Sequence, residues 1–263
     1  MEFNITFQQT KMFVESIKRE HEIDSLRTIV LNLTDKCQLK CNYCPHSKGY
    51  NYDNYMTIDV VNKLYKMLKD INYKGMISIS GNGEPTLHPL INQISSRLSE
   101  FNLQILSNGL TDVDYVYLSK YARLIISIHN FSDIEYLTKK FDNIPNSVIR
   151  NHIINSPGNE LIVTNRAGYM NDKHCLNDYC TYPFYKMFID YDGSYLLCAD
   201  DWKRNTKIAG VDIYHLSIED YFCKYLKDIK GKMKKKLRQE IFPCQICSTN
   251  GTMIGKCFLN DSR

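Results

Sequence analysis

Three cysteines in one short segment constrain this chain more than any other feature. Cys37, Cys41 and Cys44 are separated by three and then two residues, and Pro45 follows the last of them. Three thiolates on one loop can hold three irons of an iron–sulfur cube, which leaves the fourth iron without a protein ligand. Because an iron with an open coordination position can bind a reactant, the spacing predicts a reactive metal centre.

Two alternative metal sites use the same thiolates. His46, two residues after Cys44, could complete a tetrahedral zinc site, since thiolate and imidazole ligands both suit zinc. Structural zinc sites, however, usually draw paired ligands from two separate segments. A bacterial ferredoxin run places its cysteines two, two and three residues apart, whereas the order here is three and then two. The cube with an open iron is therefore the preferred interpretation.

Composition limits the classes of protein that remain. The chain has 263 residues, 43% of them hydrophobic, and a net charge of +4. This length can bury a large core, and the charge is too small to require a nucleic acid or an anionic membrane as partner. No apolar run approaches the ~20 residues of a membrane-spanning helix, and the polar start at Met1 and Glu2 is unlike a signal peptide. We expect a cytoplasmic protein without a membrane partner, whose ten cysteines are metal ligands or reactive groups rather than disulfides.

Strand and helix patterns alternate along residues 27–164. Strands are predicted at residues 27–33, 76–80, 103–107, 124–129, 147–154 and 160–164, and helices at residues 56–71, 89–101, 111–122 and 132–141. The last two helices carry plausible capping pairs, Thr111 with Asp114 and Ser132 with Glu135. Because such alternation favours parallel strands and right-handed crossovers, we predict an α/β fold built on a partial (β/α)6 TIM-like barrel. In such barrels the reactive groups gather in the loops that follow the strands.

A glycine-rich motif follows the second predicted strand. Its residues are Gly81, Asn82, Gly83, Glu84 and Pro85. Glycine lets the backbone approach a ligand without a Cβ atom in the way, and the Glu84 carboxylate can receive an ammonium group. The same residues standing alone would be an ordinary turn.

The cysteine and glycine motifs together resemble those of the radical S-adenosylmethionine (SAM) superfamily. Residues 35–44 read Asp-Lys-Cys-Gln-Leu-Lys-Cys-Asn-Tyr-Cys, including the aromatic Tyr43 before the last cysteine of the family's cluster loop. Residues 80–85 read Ser-Gly-Asn-Gly-Glu-Pro and are similar to the second motif, which binds the methionine amino group of SAM. The resemblance implies a [4Fe-4S] cluster, SAM, and flavodoxin or ferredoxin as reductant. It also implies cleavage of SAM to a 5′-deoxyadenosyl radical that takes a hydrogen atom from a substrate.

Four residues at strand ends resemble the family's ribose-contacting positions. They are Ser107, Asn108, Ser127 and His129. Hydroxyl, amide and imidazole groups can bond to ribose oxygens and to the methionine carboxylate. Ser and Asn at strand ends also cap helices, and His129 could equally pack at the rim of the barrel.

A second group of cysteines follows the barrel. Its members are Cys180, Cys198, Cys244 and Cys247. They surround a predicted hairpin at residues 186–190 and 195–198, with a turn at Asp192 and Gly193. Their spacing resembles the opening of the auxiliary-cluster domain known as SPASM and of its shorter relative, the twitch domain.

The resemblance implies one auxiliary [4Fe-4S] cluster rather than two, because Met253 stands where a full SPASM domain would place another cysteine. A four-cysteine zinc ribbon is the alternative, since thiolates alone do not select iron–sulfur over zinc. The expected organisation is an N-terminal extension at residues 1–25, a radical SAM barrel at residues 26–170 and a twitch-like domain at residues 171–263.

Two residues are candidates for a role at the substrate. Arg166, in Thr-Asn-Arg-Ala-Gly at residues 164–168, could hold a hydroxyl, carboxylate or phosphate with its fixed fork of donors, although a loop arginine can also simply face water. This segment and the C-terminal cysteine spacing resemble twitch-domain dehydrogenases of 2-deoxy-scyllo-inosamine, which makes Arg166 a substrate-binding candidate. Cys175 could replace Cys180 as a ligand or donate a hydrogen atom. Cys223 and Cys257 receive no role.

The predicted function is that of a radical SAM oxidoreductase acting on a small polar substrate, a sugar or a cyclitol. The outcome is dehydrogenation if the auxiliary cluster accepts an electron, or epimerisation if a thiol returns a hydrogen atom. Maturation of a ribosomal peptide is one alternative. A non-catalytic iron–sulfur or zinc module is the other.

A basic stretch at residues 230–238 raises the question of nucleic acid. Its six basic residues lie in a predicted helix that starts near Ser217, with Asp220 as capping partner. The stretch lacks interleaved aromatic residues for base stacking. We interpret it as a solvated basic face and expect no nucleic-acid partner.

Overall fold

A seven-stranded sheet with the strand order β5-β4-β3-β2-β1-β6-β7 organises the fold. The computed structural model describes residues 18–19, 22–153, 164–170, 180–249 and 251. The strands are β1 Thr28–Leu31, β2 Met76–Ile79, β3 Asn102–Ser107, β4 Arg123–Ile128, β5 Ser147–Asn151, β6 Lys186–Ile189 and β7 Tyr195–Leu196. Neighbouring strands from β5 to β6 pair in parallel, and β7 pairs antiparallel with β6.

Helices connect the parallel strands. They are α1 Ile58–Asp70, α2 Ile91–Arg97, α3 Tyr115–Ser119, α4 Ile134–Phe141, α5 Tyr182–Tyr185 and α6 Lys227–Lys234, with a π-helix at Asp220–Tyr225 before the last of them. The predicted fold class is confirmed: a mixed α/β fold with a mostly parallel sheet, as in a partial TIM-like barrel. No helix among the described residues combines the length and the apolar character that crossing a bilayer requires.

Helix α1 shows how local sequence produces these elements. The Thr57 hydroxyl caps its first turn by accepting a hydrogen bond from the backbone N–H of Val60 at 3.4 Å. Val60, Val61, Leu64 and Leu68 recur at helical spacing and are buried. The helix therefore packs one apolar stripe on the sheet and leaves its other face in solvent.

The two predicted capping pairs are wrong. Helix α3 begins after Asp114, whose Oδ1 accepts from the backbone N–H of Tyr117 at 2.8 Å, so Asp114 is itself the cap. Thr111 instead bonds with the Tyr115 hydroxyl at 2.7 Å. Helix α4 follows a 3-10 turn at Phe131–Asp133 and has no side-chain hydrogen bond at its cap, because Ser132 is already inside that turn.

The two faces of the sheet differ in chemistry. In parallel pairing, residues in register lie on the same face, and successive residues of a strand lie on opposite faces. The helix-facing side is apolar and forms the main core, with Ile29, Leu31, Ile77, Ile79, Leu103, Ile105, Leu124 and Ile126. On the other face Ser78 is in register with Gln104, and Ser127 with Arg150. The concave interior of the barrel is therefore partly polar and suits a polar ligand.

The predicted hairpin joins the barrel sheet. Strand β6 pairs with β1 from Thr28 opposite Lys186 onward, and the turn to β7 uses Gly193 in the left-handed conformation at φ +85°. The sheet thus continues past residue 170, where the twitch-like domain was expected to begin. Of the predicted strand at residues 160–164, residues 160–163 lie outside the described residues, and Thr164 is not in a strand.

The interpretation of residues 230–238 as a solvated basic face is wrong for two of its members. Lys230 is 0% exposed and donates to the carbonyl of Phe222 at 2.8 Å. Arg238 is 3% exposed and donates to backbone carbonyls of the C-terminal segment. Because the segment is divided between α6 and a 3-10 turn at Arg238–Glu240, its basic residues do not share one face.

Candidate active site

The loop after β1 carries three free, half-buried cysteines, Cys37, Cys41 and Cys44. Burial, with smaller contributions from the nearby charges of Glu84 and of the other two cysteines, raises the pKa of Cys37 to about 12. Burial likewise raises the pKa of Cys41 and of Cys44. The thiols are therefore protonated at neutral pH unless a cation binds, and a metal centre would release their protons.

The glycine motif packs directly on this loop. A Cβ atom on Gly83 would lie 2.4 Å from the carbonyl oxygen of Thr34 and 2.5 Å from that of Lys36. The next residue, Glu84, donates its backbone N–H to the Lys36 carbonyl at 2.8 Å. Gly81 has φ +138°, and a Cβ atom there would lie 2.6 Å from Oδ1 of Asn32. Both glycines are needed for contact between the two loops, a reason that the sequence had not indicated.

The Glu84 side chain is buried at the centre of this contact. Its Oε1 accepts from the Thr86 backbone N–H at 3.1 Å and from the Thr86 hydroxyl at 2.6 Å, and its Oε2 accepts from the Asn108 N–H at 2.7 Å. Burial raises the pKa of Glu84. Since a carboxylate offers about four acceptor positions, these three bonds leave room for one further donor such as an ammonium group. Pro85 opens the 3-10 turn Pro85–Leu87, which Glu84 caps.

His46, just after the third cysteine, also connects the cysteine loop to the glycine motif. Its Nε2 lies 2.7 Å from the carbonyl oxygen of Asn82, and its ring packs edge-on against Tyr50 and Trp202. Asn82 also donates from Nδ2 to the Tyr50 hydroxyl at 3.3 Å. His46 therefore has a structural partner in the glycine motif, which disfavours the zinc site in which it would be the fourth ligand.

The strand-end residues of β3 take different positions. Ser107 lies below the loops, where its hydroxyl accepts from the Gly109 N–H at 3.0 Å and contacts the hydroxyls of Thr86 and Tyr115. Asn108 reaches the cysteine loop and exchanges two hydrogen bonds with the Gln38 amide at 3.0 and 3.3 Å. Of the two, Asn108 is the one in contact with the cysteine loop.

Tyr43 and His129 meet at the barrel mouth. The Tyr43 hydroxyl is hydrogen-bonded to Nδ1 of His129. Burial, together with the charge of Arg150, lowers the pKa of His129 to about 4, so the ring is neutral at pH 7. Ser127, two residues earlier, lies on the interior face in register with Arg150. The predicted residues of β4 thus line the interior of the barrel near the cysteine loop.

A buried ionic network that the sequence did not reveal holds the cysteine loop to β6. Nη2 of Arg204 donates to both carboxylate oxygens of Asp35 at 2.9 and 2.7 Å, and Nε donates to Oδ2 of Asp190 at 2.5 Å. Both aspartates are 0% exposed. Asn32 donates to each of them, at 3.0 Å to Asp35 and 2.9 Å to Asp190, and accepts from the Asn82 N–H. These residues come from separate segments, so no local pattern could have signalled them.

Arg166 lies on a loop that is docked on the C-terminal cysteine segment. Its Nη1 donates to Oδ1 of Asp200 at 3.0 Å, and its side chain is 31% exposed. Burial opposes the charge of Arg166, but the nearby Asp200 carboxylate raises its pKa overall. The adjacent Asn165 donates from Nδ2 to the Ile246 carbonyl at 2.6 Å and accepts from the Ser248 N–H at 2.8 Å. The loop therefore connects the barrel to the second cysteine group.

In the second group, Cys180, Cys244 and Cys247 are buried and Cys198 is half-buried. Burial raises the pKa of all four thiols, to about 12 for Cys180. At Cys198 burial is the main cause of the raised pKa, and the charges of Asp200 and of the other three cysteines add to it.

Arg238 organises the chain around this group. It donates to the carbonyl of Cys244 at 2.8 Å from Nε, of Cys247 at 2.8 Å from Nη2, and of Thr249 at 2.6 Å from Nη1. A Cβ atom on Gly251 would lie 2.7 Å from Sγ of Cys180, so the last described residue passes directly over that sulfur. Cys175, Met253 and Cys257 lie outside the described residues.

The donor sets fit iron–sulfur clusters on chemical grounds, since free thiols grouped on a loop or in a pocket are the ligands such clusters take. Within the described ranges, no three His, Cys, Asp or Glu side chains converge on a point that would hold a single metal ion. Ligands of a cube bind separate irons and do not need to meet at one point.

The model of the radical SAM superfamily matches residues 31–151, which start at the last residue of β1 and contain both motifs and strands β2 to β5. These residues form a radical SAM domain, as the sequence predicted. The family implies SAM and a [4Fe-4S] cluster.

Individual proteins extend the comparison. The chain superimposes on BtrN in complex with AdoMet and 2-DOIA with a TM-score of 0.71 and 20% identity, over 84% of this chain and 92% of that one. For Streptococcus suis SuiB bound to the precursor peptide SuiA, the TM-score is 0.61 at 15% identity, over 95% of this chain and 76% of SuiB. GTP 3',8-cyclase of Aquifex aeolicus (strain VF5) is 25% identical over 118 residues, 41% of this chain and 36% of that protein. The match thus spans about a third of the cyclase, and the two structures establish the shared fold.

Proposed function

We propose that the protein is a radical SAM oxidoreductase that takes a hydrogen atom from a small polar substrate, a sugar or a cyclitol. One observation carries the proposal: the three-cysteine loop and the glycine motif are in direct backbone contact, from Glu84 to Lys36 at 2.8 Å, inside a radical SAM domain. The residues that we propose as cluster ligands therefore lie beside those that we propose to bind the amino group of SAM. The reducing cytoplasm is the expected compartment, because the thiols must stay free.

Each residue has a proposed part in this site. Cys37, Cys41 and Cys44 hold the [4Fe-4S] cluster, and residues 81–85 with Glu84 receive the methionine amino group. Asn108, Ser127 and His129 line the ribose and carboxylate side, Tyr43 orients His129, and Ser107 supports Glu84 from below. When bound, the cluster supplies the electron, delivered by flavodoxin or ferredoxin, that cleaves SAM to methionine and a 5′-deoxyadenosyl radical.

The chain's own share of the reaction is positioning. The protein holds the target carbon near the adenosyl carbon and excludes other hydrogen donors. Such positioning lowers the activation free energy far more than any single added contact does. Arg166 is proposed to hold an oxygen of the substrate, with Asp200 fixing its guanidinium. The likeness to BtrN, which was crystallised with 2-DOIA, supports a small polyhydroxylated substrate.

We propose a second [4Fe-4S] cluster on Cys180, Cys198, Cys244 and Cys247. If it accepts an electron from the substrate radical, loss of a proton completes a two-electron oxidation. If a thiol such as Cys175 instead returns a hydrogen atom, the product is an epimer. The docking of the Arg166 loop on Ile246 and Ser248 supports a functional link between this group and the barrel.

Modification of a peptide is the second candidate. An open pocket of about 380 Å³ beside the cysteine loop is lined by Tyr50, Tyr52, Asn54, Tyr169, Trp202, Lys203 and Arg204. An aromatic-lined pocket of this size can take peptide side chains as well as small ligands. The likeness to SuiB bound to SuiA is consistent with this candidate.

The deciding experiment is anaerobic reconstitution followed by incubation with SAM and a chemical reductant. We expect 5′-deoxyadenosine, and its absence would exclude the enzymatic proposal. Candidate sugars, cyclitols and peptides carrying deuterium at carbon are then compared, and transfer of deuterium into 5′-deoxyadenosine identifies the substrate class. Transfer from peptides alone would replace the first candidate by the second.

A further inference from the structure

Lys186, the first residue of β6, is a half-buried lysine to which the proposed function gives no part. Two residues later on the same face of the strand, Phe188 packs with Val30 and Leu196 in a small cluster on the interior side of the sheet. The residue between them, Met187, belongs to the helix-side core. Lys186 therefore lies on the concave face of the sheet.

The hairpin of β6 and β7 brings this lysine close to the second cysteine group. Phe188 lies opposite Leu196 in that antiparallel pair. Two residues beyond the pair come Lys186 on one chain segment and Cys198 on the other. Because the two segments run in opposite directions, Lys186 and Cys198 reach the same open end of the hairpin.

Helix α5, which begins two residues after Cys180, holds the Lys186 ammonium group on its tyrosine rings. The nitrogen lies 4.3 Å from the centre of the Tyr182 ring and 5.8 Å from that of Tyr185. The Tyr185 hydroxyl donates at 2.8 Å to the carbonyl of Gly251, the residue that passes over the Cys180 sulfur. Lys186 and Cys180 therefore share neighbours, and the lysine borders the cysteine group from a second side.

The charge of Lys186 has no bonded counterion among the residues that the structure describes. The Asp200 carboxylate acts on it electrostatically but is bonded to Arg166 at 3.0 Å. Burial lowers the pKa of the lysine, and the charges of Asp200, Cys180 and Cys198 oppose that effect. A negatively charged group bound at the cysteines would favour the charged form of Lys186 further.

We propose that Lys186 raises the reduction potential of the cluster on the second cysteine group and so makes that cluster an acceptor for an electron of the substrate. This inference rests on the proposed function and selects dehydrogenation from its two outcomes. A [4Fe-4S] cluster gains one negative charge when it is reduced, and a nearby ammonium group stabilises that charge. The substrate radical loses one electron to the cluster, and the adjoining hydroxyl loses its proton to water, which leaves a carbonyl group.

The test is a redox titration of the reconstituted holoenzyme, followed by the electron paramagnetic resonance signals of the reduced clusters. The signal that SAM leaves unchanged belongs to the second cluster, because SAM binds to the first. In Lys186→Met the reduction equilibrium of the second cluster should become about tenfold less favourable, which lowers its midpoint potential by about 59 mV. Lys186→Arg should titrate close to the wild type, because it keeps the charge.

The matched control is Lys120→Met. Lys120 is exposed, and its ammonium group also lies over a tyrosine ring, 5.8 Å from the centre of Tyr117. This variant should leave the midpoint potentials of both clusters unchanged. Lys186→Met should leave that of the SAM-binding cluster unchanged.

The inference is overturned if Lys186→Met titrates as the wild type does, or if Lys186→Arg shifts the potential as far as Lys186→Met. It is also overturned if Lys186→Met and Lys186→Gln both lose the second cluster, because the lysine would then hold that cluster in place. Iron is counted first in every protein. About four irons per chain in the wild type would refute the second cluster of the proposed function and this inference with it, whereas about eight irons with an unchanged potential in Lys186→Met would refute this inference alone.

Discussion

The two groups of cysteines have different surroundings. Those on the loop after β1 are half-buried, lie beside a glycine motif that leaves backbone room, and number three. Those of the C-terminal segment number four, three of them are buried, and Arg238 ties the chain around them through three carbonyls. A site with three ligands and partial exposure suits the binding of a reactant, whereas a closed four-ligand site suits electron transfer or structure. From this difference we propose that the two groups act in different steps, and this proposal can be tested.

The largest effect is expected when one cysteine of each group is replaced by serine, because the two variants should differ in SAM cleavage. Cys41→Ser should lower formation of 5′-deoxyadenosine by at least about three orders of magnitude, because the proposed site of SAM cleavage would lose a ligand. Cys198→Ser should keep SAM cleavage within a few-fold and lose the oxidised product, with iron content falling from about eight to about four per chain.

The matched control for these variants is Cys223→Ser, since Cys223 is buried in the π-helix and has Lys230 and Glu219, rather than other cysteines, as charged neighbours. It should keep both iron content and SAM cleavage. Equal losses of SAM cleavage in Cys41→Ser and Cys198→Ser would show that the two groups act in one step. About four irons with one zinc in the wild type would remove the redox role of the C-terminal group.

The next effect is expected when the ionic network that holds the cysteine loop to β6 is broken. Arg204→Met leaves the buried carboxylates of Asp35 and Asp190 without their cation, which costs about 3–5 kcal/mol. For a chain of this length, the thermal midpoint of the holoenzyme should fall by on the order of 10 °C. Differential scanning fluorimetry under anaerobic conditions measures it.

Arg204→Lys serves as the conservative control, because it keeps the charge and loses the fork. The thermal midpoint of Arg204→Lys should lie between those of Arg204→Met and the wild type. The dissociation constant for SAM should rise more in Arg204→Met than in Arg204→Lys, since Asp35 lies two residues before Cys37. An unchanged midpoint in Arg204→Met would contradict the view that this network holds the cysteine loop.

The same comparison shows what the sequence could predict. The cysteine spacing, the glycine motif and the strand periodicity are local patterns, and strands β1 to β7 fall where these patterns indicated, apart from their ends. The Arg204 network and the His46–Asn82 contact depend on pairs of residues far apart in the chain. No local pattern encodes such pairs, because they arise only when parallel strands bring distant loops to one edge of the sheet.

A smaller effect is expected at the C-terminal group. Arg238→Gln removes the charge and the fork that hold the carbonyls of Cys244, Cys247 and Thr249, at a cost of about 2–4 kcal/mol. We expect iron to fall toward about four per chain, while SAM cleavage persists. Iron and sulfide analysis measures the loss, and Arg238→Lys should be intermediate. Retention of about eight irons in Arg238→Gln would show that the segment folds around its metal without this arginine.

The last expected effect appears only at acid pH and is a dependence of stability on pH that belongs to the barrel mouth near the first cysteine group. Burial lowers the pKa of His129 to about 4 and of His152 to about 3, whereas an unfolded histidine titrates near about 6.5. Between these values the unfolded chain binds protons that the folded chain excludes, so stability falls as pH drops from about 6.5 toward 4. Above about pH 7.5 both states are neutral and the contribution is constant.

Thermal midpoints of the wild type and of the double variant His129→Gln/His152→Gln, measured from about pH 7.5 to 4, test this dependence. The double variant should lose less stability over that interval than the wild type. His215→Gln is the control, because the His215 side chain is 66% exposed, and it should follow the wild type. If all three proteins lose stability equally between these pH values, His129 and His152 are not held neutral in the folded protein.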